Sequence, residues 1–332
     1  MTRKRRRITL IASIFVIICC VFVALQVYFS KVEVTQTTYI YVYPSTSYDE
    51  LCKEIKEKGI VKNLTSFNLY ARAFGYNKQM KAGCYEVHPD MKVLQLVSNL
   101  KKGRQKPVKI TIGKSRLAED FAQKISRNLA FDKQDLLKVI DKQGLSDSIF
   151  FLTIPNTYEV YWTVSPEEFL LRMRKESERF WNNKSMELQN SGLTRYQVMV
   201  IASIIEEETN KNDEKARMAG VYINRLNKGM RLQADPTVKY ALKNFALRRI
   251  KGEHLKVESP YNTYKVKGLP PSPICLPSMA SINAVLNYER HDFLFFCARE
   301  DFSGYHNFAV NDRQHAANRD LYIGELNKRG IN

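Results

Sequence analysis

The stretch Thr194–Thr209, TRYQVMVIASIIEEET, decides the fold of the larger part of the chain. Thr194 and Gln197 have the spacing of a capping box, in which two side chains satisfy free backbone N–H groups at a helix start. The next eight residues, Val198–Ile205, are apolar except for Ser203. Because such a run is apolar almost all round, it predicts a helix buried in a core.

Three carboxylates end this helix: Glu206, Glu207 and Glu208. Successive helical residues point about 100° apart, so the three side chains cannot share one environment. Glu206 stands one turn beyond Ala202 and Ser203, small residues that leave space above that face. We therefore expect a partly desolvated Glu206 beside an open space. A solvated acidic run is the alternative.

The N-terminus has the pattern of a membrane anchor. Five consecutive cations, residues 3–7, precede residues 8–30, which carry no charge. A run of this length can cross a bilayer as a helix, and cations before it favour a cytoplasmic N-terminus. The pattern predicts a cytoplasmic tail (1–7), a transmembrane helix (8–30) and an extracytoplasmic remainder, as in a single-pass protein of the bacterial cell membrane. A cleaved signal peptide is the alternative.

The formal net charge of +18 restricts the possible partners. Basic proteins often bind nucleic acid, but an extracytoplasmic domain rarely meets any, and no nucleic-acid motif is present. Attraction to anionic lipid headgroups is the simpler account of the charge. No CxxC motif or His/Cys cluster indicates a metal, and we expect no cofactor.

Four cysteines follow the predicted anchor: Cys52, Cys84, Cys275 and Cys297. They are too few and too scattered for a disulfide scaffold. Isolated cysteines are commonly buried as small hydrophobes. If a disulfide forms, Cys52 and Cys84 are the first candidates, because they lie in one small module.

The sequence predicts an α+β protein with two soluble domains, 31–112 and 113–332. In the first, strands Thr38–Val42 and Gly83–Val87 flank two helices, and a strand Val108–Ile112 closes the module. The order of strand, two helices and strand resembles a LysM-like sugar-binding module.

Two segments of the second domain are unusual in composition. Residues 154–166 are dense in aromatics, and the rings of Tyr158, Tyr161 and Trp162 could bind sugar faces or pack a domain junction. Residues 259–278 form a loop with five prolines and one glycine. Such a loop loses little entropy when it becomes ordered, and long ordered loops are usually functional.

Four motifs resemble the endolytic murein transglycosylases, the YceG-like family. They are IASIIEEET (201–209), GVYINRLNKGMRLQADPTVKYAL (220–242), SPYNTYKVKGLPPSPI (259–274) and YHNFA (305–309). The resemblance implies a mixed α/β catalytic domain in residues 113–332. The family's Leu-x-Pro-acid-Thr-Tyr element reads Ile154-Pro155-Asn156-Thr157-Tyr158 here, so this chain lacks the acid.

The resemblance also implies that Glu206 is the catalytic residue. Lytic transglycosylases cut the bond between N-acetylmuramic acid and N-acetylglucosamine without water. One carboxylic acid protonates the leaving oxygen, and the carboxylate then takes the proton of the sugar's own 6-hydroxyl as the 1,6-anhydro ring closes. Desolvation would give Glu206 the raised pKa that this role needs. We expect Glu208 and Ser203 to support it, with Glu208 paired to Arg217 or Arg225.

Six residues are candidates for substrate binding: Gln233, Asp235, Tyr261, Asn262, Tyr264 and His306. Each has a structural alternative. The loop residues could only pin the loop, Asp-Pro is an ordinary turn starter, and His306 could be a satisfied structural histidine. Asp235 is also the rival second carboxylate that a muramidase-type hydrolase would need.

The sequence therefore supports two classes of function. The first is a membrane-anchored lyase acting on peptidoglycan glycan strands. For this class the resemblance implies nascent strands whose elongation it limits, beside the synthases (penicillin-binding proteins) that make them. The second is a non-catalytic wall-binding protein that works through the LysM-like module.

Overall fold

The structure is a computed structural model that describes residues 3–247 and 249–330. The chain divides into two compact units. The first comprises Met1–Lys109, Asn128–Ala130 and Glu159–Val164, and the second comprises Ile110–Arg127, Phe131–Tyr158 and Ser165–Asn332. The domain boundary expected after residue 112 stays a prediction. The described residues contain three two-stranded sheets and thirteen α-helices, so the fold is mixed α/β.

The first unit has the strand–helix–helix–strand order expected from the sequence. Its elements are α1 (Arg3–Tyr28), β1 (Thr38–Val42), α2 (Tyr48–Glu57), α3 (Leu64–Ala73), β2 (Gly83–Val87) and α4 (Val93–Lys102). Strands β1 and β2 pair antiparallel, with Thr38 opposite Val87 and Val42 opposite Gly83. The core between the sheet and the helices includes Ile40, Leu51 and Phe67, all fully buried. The likeness to a LysM-like module stays a prediction.

Helix α1 covers most of the predicted membrane segment. Met1 and Thr2 lie outside the described residues, as do the side chains of residues 3–10, 19, 20, 23 and 24, so no side chain of the predicted tail (1–7) is described. Among the helices in the part of the chain that the structure describes, none is both long and apolar enough to cross a membrane. Anchoring through residues 8–30 stays a prediction.

The second unit carries the remaining helices and a C-terminal hairpin. The helices are α5 (Ala118–Ser126), α6 (Lys133–Lys142), α7 (Pro166–Asn183), α8 (Ser185–Ser191), α9 (Arg195–Glu208), α10 (Asn212–Asn227), α11 (Asp235–Ala241), α12 (Met279–Leu286) and α13 (Asp312–Lys328). The hairpin pairs β5 (Phe295–Ala298) with β6 (His306–Ala309), antiparallel.

Strands β3 (Pro107–Ile112) and β4 (Asn156–Tyr161) form the third sheet, and the division between the units passes through both. Strand β4 lies in the aromatic segment 154–166, where no strand was expected. Tyr158 and Trp162 are buried there, so neither presents a free face for a sugar, whereas Tyr161 is 55% exposed.

Helix α9 is the core of the second unit. The predicted capping box is present, since Gln197 N donates to Thr194 Oγ1 and Thr194 N donates to Gln197 Oε1. All eight residues from Val198 to Ile205 are buried, against α10, α12 and the loop of residues 259–278. Truncating one large side chain there to alanine should cost about 2–5 kcal/mol. The end of α9 is therefore held in a rigid frame.

The loop of residues 259–278, called the Pro-rich loop below, crosses α9 at Ser203. The Ser203 hydroxyl accepts a hydrogen bond from Ile274 N (3.0 Å), and the Cys275 thiol donates to Ser203 O (3.4 Å). Ser203 thus fastens the loop to the helix and supports the acidic end only indirectly. Cys52, Cys84, Cys275 and Cys297 are all free thiols.

Candidate active site

The three carboxylates at the end of α9 have three different surroundings. Glu206 Oε2 accepts hydrogen bonds from the hydroxyls of Ser278 (2.5 Å) and Ser281 (2.6 Å), and Lys215 Nζ lies 3.2 Å away. Glu208 Oε1 accepts a hydrogen bond of 2.7 Å from the buried Tyr222 hydroxyl. The second oxygen of Glu208, Oε2, has no hydrogen-bond partner among residues 3–247 and 249–330.

Glu207, between these two acids, is fixed by cations. Arg116 Nη2 lies 2.8 Å from its Oε2, and Lys114 Nζ lies 2.9 Å from its Oε1. Burial works to raise the pKa of Glu207, but hydrogen bonds and charge from both cations outweigh it, so its pKa lies below the usual value. Through these two cations, Glu207 ties the chain near residue 115 to α9.

The expected raised pKa of Glu206 is wrong. Burial works to raise it, but hydrogen bonds from Ser278 and Ser281 and the positive charge of Lys215 outweigh burial and lower the pKa. Three donors therefore surround Glu206 Oε2, where the sequence predicted an open space beside the carboxyl. A carboxylate held in this way is a poor proton donor.

Glu208 has the property that was expected of Glu206. Burial raises the pKa of Glu208 to about 7, against the opposing hydrogen bond from Tyr222, and the charge of Asp235 adds to the rise. Neither Arg217 nor Arg225 pairs with it. Arg217 Nε lies 3.0 Å from Glu289 Oε2, and Arg225 donates to the carbonyls of Leu294 (2.6 Å) and Leu232 (2.7 Å).

A cleft of about 540 Å³ opens beside Glu208. Four of the six predicted binding residues line it: Gln233, Asp235, Tyr264 and His306. Its walls also include Tyr222, Arg225 and His315, which the sequence reasoning did not single out. The cleft therefore joins Glu208, and not Glu206, to the predicted binding residues.

Asp235 and Tyr264 form one hydrogen-bonded pair in this cleft. The Tyr264 hydroxyl donates to Asp235 Oδ1 over 2.6 Å, which connects the first residue of α11 to the Pro-rich loop. Burial, followed by the hydrogen bond to Asp235, raises the pKa of Tyr264, so the phenol stays a donor. Gln233 adopts a positive φ of 51°, and its backbone N–H donates to Thr263 O.

Tyr261 and Asn262 do not line the cleft. Asn262 is fully buried, and its Nδ2 donates to the loop carbonyls of Leu255 and Val257. The Tyr261 hydroxyl lies 2.6 Å from Ser272 Oγ within the same loop. Both residues hold the loop in shape, which is the structural alternative that the sequence left open.

His306, at the start of β6, is held by a buried carboxylate. Its backbone N–H donates to Glu214 Oε1 (2.9 Å), and its ring Nδ1 lies 3.1 Å from Glu214 Oε2. Glu214 lies in the first turn of α10 and is 5% exposed. The Nε2 atom of His306 has no hydrogen-bond partner among the described residues.

The residues that sequence reasoning missed carried only faint signals. Tyr222 and Arg225 lie in the VYINRL motif, where one hydroxyl and one guanidinium interrupt a buried apolar face. Glu214 is one of two acids in the first turn of a helix, a common position for a solvated carboxylate. In residues 3–247 and 249–330, no group of three His, Cys, Asp or Glu side chains is arranged to hold a metal ion.

Known proteins resemble the chain over most of its length. Endolytic murein transglycosylase of Bacillus subtilis is 25% identical over 316 residues, which cover 88% of this chain and 87% of that protein. Endolytic murein transglycosylase of Streptococcus pneumoniae serotype 2 is 26% identical over 306 residues, 81% of this chain and 55% of that protein. The chain thus spans about half the length of the pneumococcal relative.

A solved structure and a family profile agree with these relatives. The crystal structure of a YceG-like protein from Listeria monocytogenes superposes with a TM-score of 0.55 and 28% identity, covering 86% of this chain and 99% of that one. The profile of the YceG-like family matches residues 40–320. With a profile match over this span, the protein belongs to the YceG-like family.

Proposed function

We propose that this protein is an endolytic peptidoglycan transglycosylase in which Glu208 is the catalytic acid. The observation that carries the proposal is the Glu208 carboxyl, whose pKa of about 7 keeps much of it protonated at neutral pH in the wall of an open cleft. General acid catalysis works best with a pKa near the operating pH. The names of the bacillary and pneumococcal relatives support the same reaction.

Tyr222 determines which oxygen of Glu208 carries the proton. Burial, followed by the nearby Glu208 carboxyl, holds the pKa of Tyr222 well above 10, so its hydroxyl remains a donor. Because that hydroxyl donates to Oε1, the transferable proton belongs on Oε2, the oxygen without a partner among the described residues. Glu208 therefore offers one defined proton.

The reaction begins when Glu208 protonates the glycosidic oxygen between N-acetylmuramic acid and N-acetylglucosamine. The bond from that oxygen to C1 breaks as the sugar's 6-hydroxyl oxygen bonds to C1 and closes the 1,6-anhydro ring. The hydroxyl proton must pass to a base, and in the simplest scheme this base is the Glu208 carboxylate. No water is consumed, so a single acid suffices.

Two residues in the cleft suit glycan binding. Gln233 offers an amide for sugar hydroxyls, and the Asp235 carboxylate keeps free acceptor capacity beside its bond to Tyr264. Asp235 could instead serve a hydrolase as a second carboxylate. This muramidase-type reaction is the second candidate, because Asp235 lines the same cleft as Glu208.

The products of purified cell wall distinguish the candidates. The wild-type protein should release fragments that end in 1,6-anhydro-N-acetylmuramic acid, one water lighter than hydrolysis products by mass spectrometry. Glu208→Gln should release essentially none while still binding glycan. Reducing ends that take up label from heavy-oxygen water would identify a hydrolase instead, and glycan binding by a wild type that releases no product would identify a wall-binding protein.

The location of the enzyme is a further part of the proposal. Residues 8–30 carry no charge and follow five cations, and the described side chains of Ile11, Phe15 and Phe22 are more than 60% exposed. We propose that this segment anchors the protein in the cell membrane, beside nascent strands and their synthases. A reporter fused after Asn332 should be active only outside the cytoplasm, and cytoplasmic activity would contradict the anchor.

A further inference from the structure

His306 lies in the cleft in a strictly held orientation. Two of its atoms bind one carboxylate: the backbone N–H donates to Glu214 Oε1 and Nδ1 contacts Oε2. The ring also packs edge-on against Phe296, with centroids 5.5 Å apart. A histidine fixed by a carboxylate at one nitrogen presents the other nitrogen in a defined direction.

We propose that His306 is the catalytic base that accepts the proton of the substrate's 6-hydroxyl, with Glu214 as its positioning residue. This assignment rests on the proposed transglycosylase function and changes one part of it. Glu208 remains the acid, but its carboxylate no longer has to act as the base.

Glu214 selects the tautomer that this role needs. The carboxylate lies in the first turn of α10, where the helix dipole favours negative charge. An ionised carboxylate only accepts hydrogen bonds, so Nδ1 of His306 must carry the hydrogen. In the neutral ring, the lone pair is then on Nε2, which no described residue occupies. The same arrangement orients the histidine of the Ser-His-Asp triads.

The geometry of Glu208 favours a separate base. Its Oε1 is taken by Tyr222, so in a single-acid scheme Oε2 alone would have to face the leaving oxygen and then the 6-hydroxyl. Both oxygens lie on the same face of C1, because the 1,6-anhydro ring keeps the β configuration of the broken bond. Oε2 would therefore have to give up one proton and take another at nearly the same place. With His306 Nε2 as the base, the two proton transfers use two different groups.

The proton balance closes with both groups in place. Oε2 of Glu208 gives its proton to the glycosidic oxygen, whose bond to C1 breaks, while the 6-oxygen bonds to C1 and its proton passes to His306 Nε2. The step ends with a Glu208 carboxylate and a His306 imidazolium. Proton exchange with solvent restores both groups, and no co-reactant is required.

Several charged or titratable side chains share the cleft with His306. From α9, α10 and α11 these are Glu208, Tyr222, Arg225 and Asp235. From the loop, β5 and α13 they are Tyr264, Cys297, Asp312 and His315. Of the described carboxylates, Glu214 alone lies within ion-pair distance of the His306 ring.

The test measures kcat and KM separately for the full-length protein on purified glycan strands. The wild-type kcat should fall at alkaline pH as Glu208 loses its proton. His306→Gln should lower kcat by roughly 10²-fold or more, with little change in KM. Free imidazole should restore part of the activity of His306→Ala.

Glu214→Gln provides a second and gentler test. Without the carboxylate that fixes Nδ1, the ring is less well oriented, so kcat should fall, but by less than in His306→Gln, with little change in KM. His88→Gln is the matched control, since His88 Nε2 pairs with Glu86 Oε2 at 3.0 Å in the first unit. It should keep the wild-type kcat.

The outcomes separate this inference from the proposed function. A His306→Gln protein with wild-type kcat, or a slow His306→Ala protein that free imidazole does not rescue, would overturn the base assignment while the anhydro product stands. If His306→Gln does not fold, a wild-type kcat in Glu214→Gln has the same meaning. Absence of anhydro product from the wild type would instead refute the proposed function, and the base assignment with it.

Discussion

Glu206 and Glu208 lie two residues apart at the C-terminal end of helix α9, and their pKa values are shifted in opposite directions. Two serine hydroxyls and a lysine surround Glu206 and lower its pKa despite burial. At Glu208, burial and the nearby charge of Asp235 raise the pKa to about 7, and the single hydrogen bond from the Tyr222 phenol does not offset them. Burial raises the pKa of Glu208, where a single hydrogen bond opposes it, whereas at Glu206 several donors and a cation outweigh burial.

The largest expected effect is on catalysis, where substituting Glu208 and substituting Glu206 should give different results. Glu208→Gln should lower kcat by roughly 10²- to 10⁴-fold, because the transferable proton is lost while the shape is kept. Glu206→Gln should keep most of the activity at a temperature where it is folded. Initial rates of anhydro-product release measure both. The reverse order of effects would return the catalytic role to Glu206.

The next effect concerns stability on the Glu206 side. Lys215→Met leaves the Glu206 carboxylate without its cation, at side-chain exposures of 5% for Lys215 and 13% for Glu206. Breaking such a buried pair should lower the free energy of unfolding by about 3–5 kcal/mol in urea titrations. Lys31→Met, which breaks the exposed pair with Asp90, should cost less than about 1 kcal/mol. If the two substitutions lowered the free energy of unfolding equally, the Glu206 carboxylate would not depend on Lys215 for its stability.

The pH dependence of stability should have opposite signs for the two acids. The folded protein holds a proton on Glu208 up to about pH 7, whereas an unfolded glutamate loses it near pH 4.5. The unfolded state therefore binds fewer protons in this window, and stability falls as pH rises through it, by about 1–3 kcal/mol. Glu208→Gln should remove that fall.

Glu206 and Glu207, with lowered pKa values, should instead lose their stabilisation as the pH falls below about 4.5. Urea midpoints measured from acid to neutral pH separate the two contributions. If the stability of Glu208→Gln still fell between about pH 4.5 and pH 7 as steeply as that of the wild type, the raised pKa of Glu208 would be contradicted.

The smallest effect comes from Tyr222→Phe. The Tyr222 hydrogen bond lowers the pKa of Glu208 against burial, so its removal should raise that pKa further. The alkaline limb of the kcat profile should then move to higher pH by less than about one unit. An alkaline limb moved to lower pH would mean that Tyr222 stabilises the protonated acid instead.

The sequence predicted the frame of the site well. The capping box at Thr194 and the burial of Val198–Ile205 follow from the local sequence pattern, and the structure confirms both. The family was also recognisable from four motifs. These features depend on neighbours in the chain, which is the information that a sequence pattern carries.

The choice between Glu206 and Glu208 could not be read locally. The donors that lower the pKa of Glu206, Ser278 and Ser281, come from residues more than 70 positions away. Likewise, Glu214 and His306 meet across 92 positions. Such contacts depend on how the Pro-rich loop and the hairpin return to α9 and α10, and no spacing in one element indicates them.

Cys275 makes the Pro-rich loop observable in solution. Its thiol is fully buried against Ser203 O, and burial raises its pKa well above the usual value, so the folded protein should resist alkylation. Labelling at this position therefore requires the loop to leave α9. The rate of Cys275 alkylation, followed by mass spectrometry of the modified peptide, therefore measures local opening of the loop that carries Tyr264 into the cleft.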